Sequence, residues 1–123
     1  MLYTCPCCGH FSFNDAPGSY EICPICFWED DYTQLCFPDA RGGANTVSLI
    51  EAQVNYVQWG ACEKHLQAQV RPVTIEDELD PQWFPLWQRP VDYVPEREMR
   101  ASDRSPGVEA CYWLRSPSGE RQR

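Results

Sequence analysis

Eight cysteines stand in this chain of 123 residues, and five of them crowd into two short turns. The first is Cys5-Pro6-Cys7-Cys8-Gly9 and the second is Cys23-Pro24-Ile25-Cys26, with fourteen residues between Cys8 and Cys23. Two residues between cysteines let one tight turn aim both sulfurs at a single point, and two such turns at this spacing make a four-thiolate metal site. Proline presets φ in each turn, and Gly9 can take the positive φ that follows. The ligands selected in this way are Cys5, Cys8, Cys23 and Cys26. Cys7 is the intervening residue of the first turn, and pairing it with Cys5 would leave only one residue between ligands. Four thiolates around a divalent ion leave no open position, so the site is expected to be structural, holding one Zn²⁺. Iron in the same tetrahedron of sulfurs is the alternative metal. The second turn lacks the glycine that matched iron-binding turns carry, which disfavours iron.

The remaining cysteines, Cys7, Cys36, Cys62 and Cys111, have no second pair to complete another site. Cys62 and His65 lie three apart on an expected helix and could begin one, but buried small apolar residues are the simpler reading of Cys36 and Cys62. His10 flanks the first turn beside a set of four that is already complete. Free core cysteines are the main alternative to a metal site, and redox-responsive thiol chemistry at Cys7 and Cys8 is the alternative function, although the βαβ context of a thioredoxin-like motif is absent.

The elements that must position these turns are short. "HFSFND" alternates, with Phe11 and Phe13 on one face, as a strand does; "APGS" is turn chemistry; "YEIC" is expected to return as the second strand of a hairpin. Residues 31–46 hold Pro38, Gly42, Gly43 and Asn45 and read as loop. "SLIEAQVNYVQWG" is the clearest helix. Ser48 and Glu51 form a capping box, Gly60 offers a left-handed stop, and Ile50, Val54, Val57 and Ala61 make an apolar stripe. A shorter helix is expected over Cys62–Val70, ended by Pro72. The fold class is therefore small α+β: a zinc-ribbon-like β-hairpin module with one or two helices over residues 1–72. Residues 73–123 follow as an arm rich in proline and aromatics, including Trp83, Phe84, Trp87 and Tyr93, packed on the module or on a partner. "VEACYWL" could be one late strand, and "RSPSGERQR" reads as a disordered tail.

Charge separates the two parts. Residues 1–45 carry a net −5, residues 46–80 a net −4 and residues 81–123 a net +1, within a total of −8. The acidic run Trp28-Glu29-Asp30-Asp31 directly follows the second turn and suggests a contact surface, joined by Trp83, Phe84 and Trp87 as aromatic anchors. A field of this sign favours a basic protein partner. It opposes nucleic acid, whose phosphates need lysine and arginine. No Ser/His/Asp set, open metal site or glycine-rich phosphate loop is evident, so no enzyme is expected. No basic stretch precedes an apolar run at the start and no segment approaches a membrane span, so the cytoplasm is the expected compartment, where cysteines argue for metal rather than disulfides.

"YTCPCCGHFSF", "PGSYEICPICFWEDD" and "GGANTVSLIEAQVNYVQWGA", in this order, resemble the bacterial cysteine-rich CPCC family over roughly residues 2–72. The resemblance implies a zinc-ribbon-like module joined to a helical segment. It also suggests bacterial gene neighbourhoods in which small acidic proteins neutralise toxins, so the most concrete function is that of an immunity or antitoxin protein. It brings no known reaction, and it leaves residues 73–123 unexplained.

Overall fold

The computed structural model describes residues 2–93, 95–98 and 110–114. Strand β1 (Tyr3–Thr4) pairs antiparallel with β2 (Phe11–Phe13), Tyr3 opposite Phe13 and Thr4 opposite Phe11. The partner of β2 is therefore the segment before the first cysteine turn, not "YEIC". The turn at Cys5–Gly9 is itself the bend of the hairpin. The second turn repeats the arrangement on a smaller scale, with Ile22 bridged to Glu29 across it. Tyr20, at φ 63°, breaks the extended conformation a returning strand would need. Carboxylates hold the intervening loop in place of a ladder. Glu21 accepts from the backbone N–H groups of Asn14 and Asp15, and Asp30 accepts from the N–H groups of Gly18 and Ser19 and from the Ser19 hydroxyl.

A short helix, α1 (Tyr32–Cys36), occupies part of the stretch read as loop. Asp31 caps it by accepting from Gln34 N and also holds Ala44 N at 2.8 Å. Gln34 is buried and organises the loop beyond, donating to the carbonyls of Ala40, Asn45 and Val47 and accepting from Asn45 N and Nδ2. A glutamine with every polar atom engaged is tolerated in a core that would reject an unpaired one.

Helix α2 (Leu49–Trp59) carries the expected capping box at Ser48 and Glu51, and Gly60 ends it at φ 74°. Its buried side is Leu49, Ala52 and Gln53, with Tyr56 packed alongside. Of the stripe expected from the sequence, Ala61 is buried and Ile50 half-buried, but Val54 and Val57 are exposed, Val57 at 69 %. Two apolar stripes compete on this helix, and Ala52 and Gln53, small or polar in sequence, take the inner face because the first cysteine turn packs closely there. The second helix is a 3₁₀ helix over Lys64–Gln69.

The described part of the arm lies on the module. Phe84 is buried, and Trp83, Leu86 and Val91 pack against the core. Ala110, Cys111, Tyr112 and Trp113 are also buried, with a 3₁₀ turn over Tyr112–Leu114 in place of the late strand; Val108, Glu109 and the tail from 115 lie outside the described residues. Phe84, Tyr112 and Trp113 stack edge to face with ring centroids 5.4 and 5.0 Å apart. Among the described residues no helix is long and apolar enough to cross a membrane.

Candidate metal centre

The two cysteine turns are built alike. In the first, Cys5 N donates to His10 O at 2.9 Å and Gly9 N to Cys5 O at 2.8 Å. In the second, Cys23 N donates to Trp28 O at 2.9 Å and Phe27 N to Cys23 O at 2.8 Å. Gly9 and Phe27 are the equivalent positions, and both have positive φ, 83° and 72°. The missing glycine of the second turn is thus a phenylalanine held in a left-handed conformation, at a backbone cost of about 1–2 kcal/mol. The Phe27 ring packs against the core, and that burial offsets the cost. Gly9 has no such freedom. A Cβ there would meet the Trp83 ring at 2.3–2.8 Å.

The four selected sulfurs, of Cys5, Cys8, Cys23 and Cys26, all lie within 4.8 Å of one another, and all four residues are buried. Cys5 and Cys26 sulfurs are 3.5 Å apart, and those of Cys8 and Cys23 are 3.8 Å apart. Sulfurs at ~2.3 Å from a central ion have tetrahedral edges of ~3.8 Å, so the spacing suits one metal ion held by these four. No disulfide joins them.

Their electrostatics make the same point. Burial pushes the Cys5 and Cys26 thiols well up, while the hydrogen bond from Cys23 draws Cys8 well down. By itself such a cluster resists full ionisation, and a divalent cation at its centre supplies the charge that lets all four be thiolates. Ser12, whose Oγ is 3.1 Å from the Cys23 sulfur, can donate to that thiolate. A hydrogen bond with Cys8 raises the His10 pKa. His10 is a neighbour of the four and not one of them.

Cys7 is buried, and its thiol donates to Ala52 O at 3.4 Å. Cys62 is buried beside the second turn, its N–H donating to Cys26 O at 2.8 Å. His65 is exposed, 3.6 Å from the Glu63 carboxylate, and among the described residues Cys62 and His65 belong to no metal-ligating cluster. Cys36 is half-buried against the core and Cys111 is buried in it.

Much of what holds the first turn comes from far along the chain. Pro6 O accepts from Gln53 Nε2 at 2.9 Å and from Trp83 Nε1 at 3.0 Å. Gln53 also donates to Tyr112 Oη and accepts from Leu86 N, and the Tyr112 hydroxyl donates to Phe84 O. Asp80 N donates to Gly9 O at 2.8 Å, while its carboxylate accepts from the Thr4 hydroxyl at 2.6 Å. Gln53, Asp80, Trp83 and Ser12 are therefore supports that spacing rules could not supply. Only the alternation around Phe11 and Phe13 hinted that Ser12 would face differently from them.

The suggested acidic contact surface is largely internal. Trp28 is fully buried, its indole Nε1 without a hydrogen-bond partner among the described residues, and Asp30 and Asp31 are buried and committed to the loop and the α1 cap. Only Glu29 of that run is partly accessible. Trp83 and Phe84 support the core, whereas Trp87 is 55 % exposed and lines a cavity with Ile50, Val54 and Tyr93.

No curated protein matches the chain. A family model described as cysteine-rich CPCC matches residues 3–77, the stretch that contains both cysteine turns, β1, β2, α1 and α2. With more than half its length matched, the chain belongs to the cysteine-rich CPCC family.

Proposed function

We propose that this is a non-enzymatic, zinc-stabilised acidic protein that acts by binding a basic protein partner, most concretely as an immunity or antitoxin protein that neutralises a bacterial toxin. The observation that carries the reading is charge: residues 1–80 hold a net −9. The zinc–tetrathiolate centre adds about two more negative charges near its middle. Such a field raises the association rate with a basic partner and discourages wrong ones.

Two further features support it. Four thiolates leave no position for a substrate, and zinc, without redox chemistry or a geometric demand of its own, suits such a staple. Two of the three bases in the module are already engaged with carboxylates, Arg41 with Glu51 at 2.8 Å and Arg71 with Asp77 at 2.8 Å, and the third, Lys64, lies over the Trp59 ring, which weighs against phosphate binding. The redox reading is weaker, since burial pushes the Cys7 thiol up and a buried protonated thiol is inert.

The test is co-expression with the product of the adjacent gene in a host that this product kills. Restored growth, with co-purification of the two proteins at low salt and slower association at high salt, is expected. An acidic partner, an association rate indifferent to salt, or no rescue would overturn the reading.

A further inference from the structure

Two cavities that share Leu2 and Phe11 lie beside the β1–β2 hairpin. One, of about 420 Å³, is lined among the described residues by Leu2, Phe11, Glu76 and Glu78. The other, of about 180 Å³, shares Leu2 and Phe11 and continues past Tyr3, Pro17, Trp113 and Leu114. The first thus joins an apolar floor to two carboxylates, and the second is mainly apolar.

The backbone beneath is fixed. Asp77 closes a turn, its N–H donating to Thr74 O, while its carboxylate accepts from Thr74 N at 2.7 Å and from both Arg71 terminal nitrogens at 2.8 Å. Phe11 N donates to Glu78 O at 2.9 Å, and Leu79 is bridged to His10. Arg71 and Asp77 are consumed by each other. The exposed Glu76 and Glu78 side chains make no hydrogen bond or ion pair among the described residues. Ile75 and Leu79 beside them are also exposed, Ile75 completely.

Two carboxylates without partners among the described residues, over an apolar floor, match one kind of side chain, a long aliphatic stem with a cationic head. We propose that this groove docks a basic, partly apolar segment of a protein partner, an arginine or lysine in the larger lobe and an apolar side chain in the smaller. This rests on the reading of the chain as a binder of basic protein and gives that binder its surface. A second copy of the chain is disfavoured as occupant, since it would bring its own net −8 toward the same carboxylates.

The probe is an end-capped nine-residue peptide alternating arginine and leucine, titrated into ¹⁵N-labelled, zinc-loaded full-length protein. Amide shifts should concentrate at Leu2, Phe11, Glu76, Glu78 and Leu79. A matched peptide with glutamate for arginine should move none of them. Glu76→Gln with Glu78→Gln should weaken the arginine peptide roughly three- to tenfold, as two exposed charge pairs allow. The double variant should keep its zinc, because the Arg71–Asp77 clamp is untouched. Asp15→Asn with Asp92→Asn, equal in charge but outside the groove's lining, should weaken it less than twofold. Equal weakening by the two double variants, or shifts confined to the Trp87 cavity, would overturn the groove and leave the basic-partner reading standing. Failure of rescue with peptide binding intact would do the reverse.

Discussion

Replacing Gly9 by alanine tests how the distant arm secures the metal turn. The residue has φ 83°, and an added Cβ would lie 2.3 Å from Trp83 Cε3, 2.6 Å from Cδ2 and 2.8 Å from Cζ3. The backbone term is about 1–2 kcal/mol for a non-glycine residue in this region. The Trp83 ring must also retreat, an overpacking cost of about 1–3 kcal/mol. Its retreat stretches the Trp83 Nε1 bond to Pro6 O, which is 3.0 Å in the native arrangement, and loses about 1 kcal/mol more. The sum is roughly 3–6 kcal/mol, a large part of the ~5–15 kcal/mol that stabilises a domain. Gly60→Ala is the control. Its φ is 74°, but nothing lies within 4 Å of the added Cβ, so only the backbone term of about 1–2 kcal/mol applies. Urea denaturation of the zinc-loaded proteins measures both, and release of metal to a chromogenic chelator should be faster for Gly9→Ala alone. In a Trp83→Ala background the Gly9→Ala cost should fall to the backbone term, because the clash has been removed. Equal costs at Gly9 and Gly60, or an unchanged Gly9→Ala cost without the Trp83 ring, would refute the reasoning.

Further predictions concern the centre and its supports. Each of Cys5→Ser, Cys8→Ser, Cys23→Ser and Cys26→Ser should lose metal and cooperative unfolding, whereas Cys7→Ser should keep both and lose no more than ~1 kcal/mol, as metal stoichiometry and thermal denaturation will show. Because burial raises Cys5 and Cys26, both are protonated at neutral pH without metal, so binding must expel their protons. Apparent affinity should therefore rise with pH between 6 and 8 and fall on acidification, which chelator competition across that range measures. Gln53→Leu removes the donor to Pro6 O and Tyr112 Oη and the acceptor for Leu86 N, and should cost about 2–4 kcal/mol in urea denaturation. Asp31→Ala should cost about 1–2 kcal/mol by the same assay through loss of the α1 cap.

The centre was legible because its ligands are local: two turns of four residues each dictate where their sulfurs go, whatever the remainder of the chain does. The capping box at Ser48 and Glu51 and the stop at Gly60 were legible for the same reason. Register was not. Whether Phe11–Phe13 pairs with Tyr3–Thr4 or with "YEIC" depends on the cysteine turn acting as the hairpin bend, and alternation alone does not carry that information. The inner face of α2 was misread because Gln53 is polar in sequence and becomes a core residue only through partners at positions 6, 86 and 112. Asp31 looked like surface charge because a cap on a helix of five residues leaves almost no periodic signal. Trp83 and Phe84 resembled interface anchors for the reason that large aromatics serve interfaces and cores equally well.

The proposed function requires that the four clustered sulfurs of Cys5, Cys8, Cys23 and Cys26 close around one zinc ion. Elemental analysis together with metal-edge X-ray absorption on protein purified without added metal tests it most directly. One zinc per chain, surrounded by four sulfurs at ~2.3 Å with no nitrogen or oxygen neighbour, is the expected result. Iron in place of zinc, a mixed sulfur and nitrogen shell that draws in His10, or protein that folds cooperatively with no metal at all would contradict it.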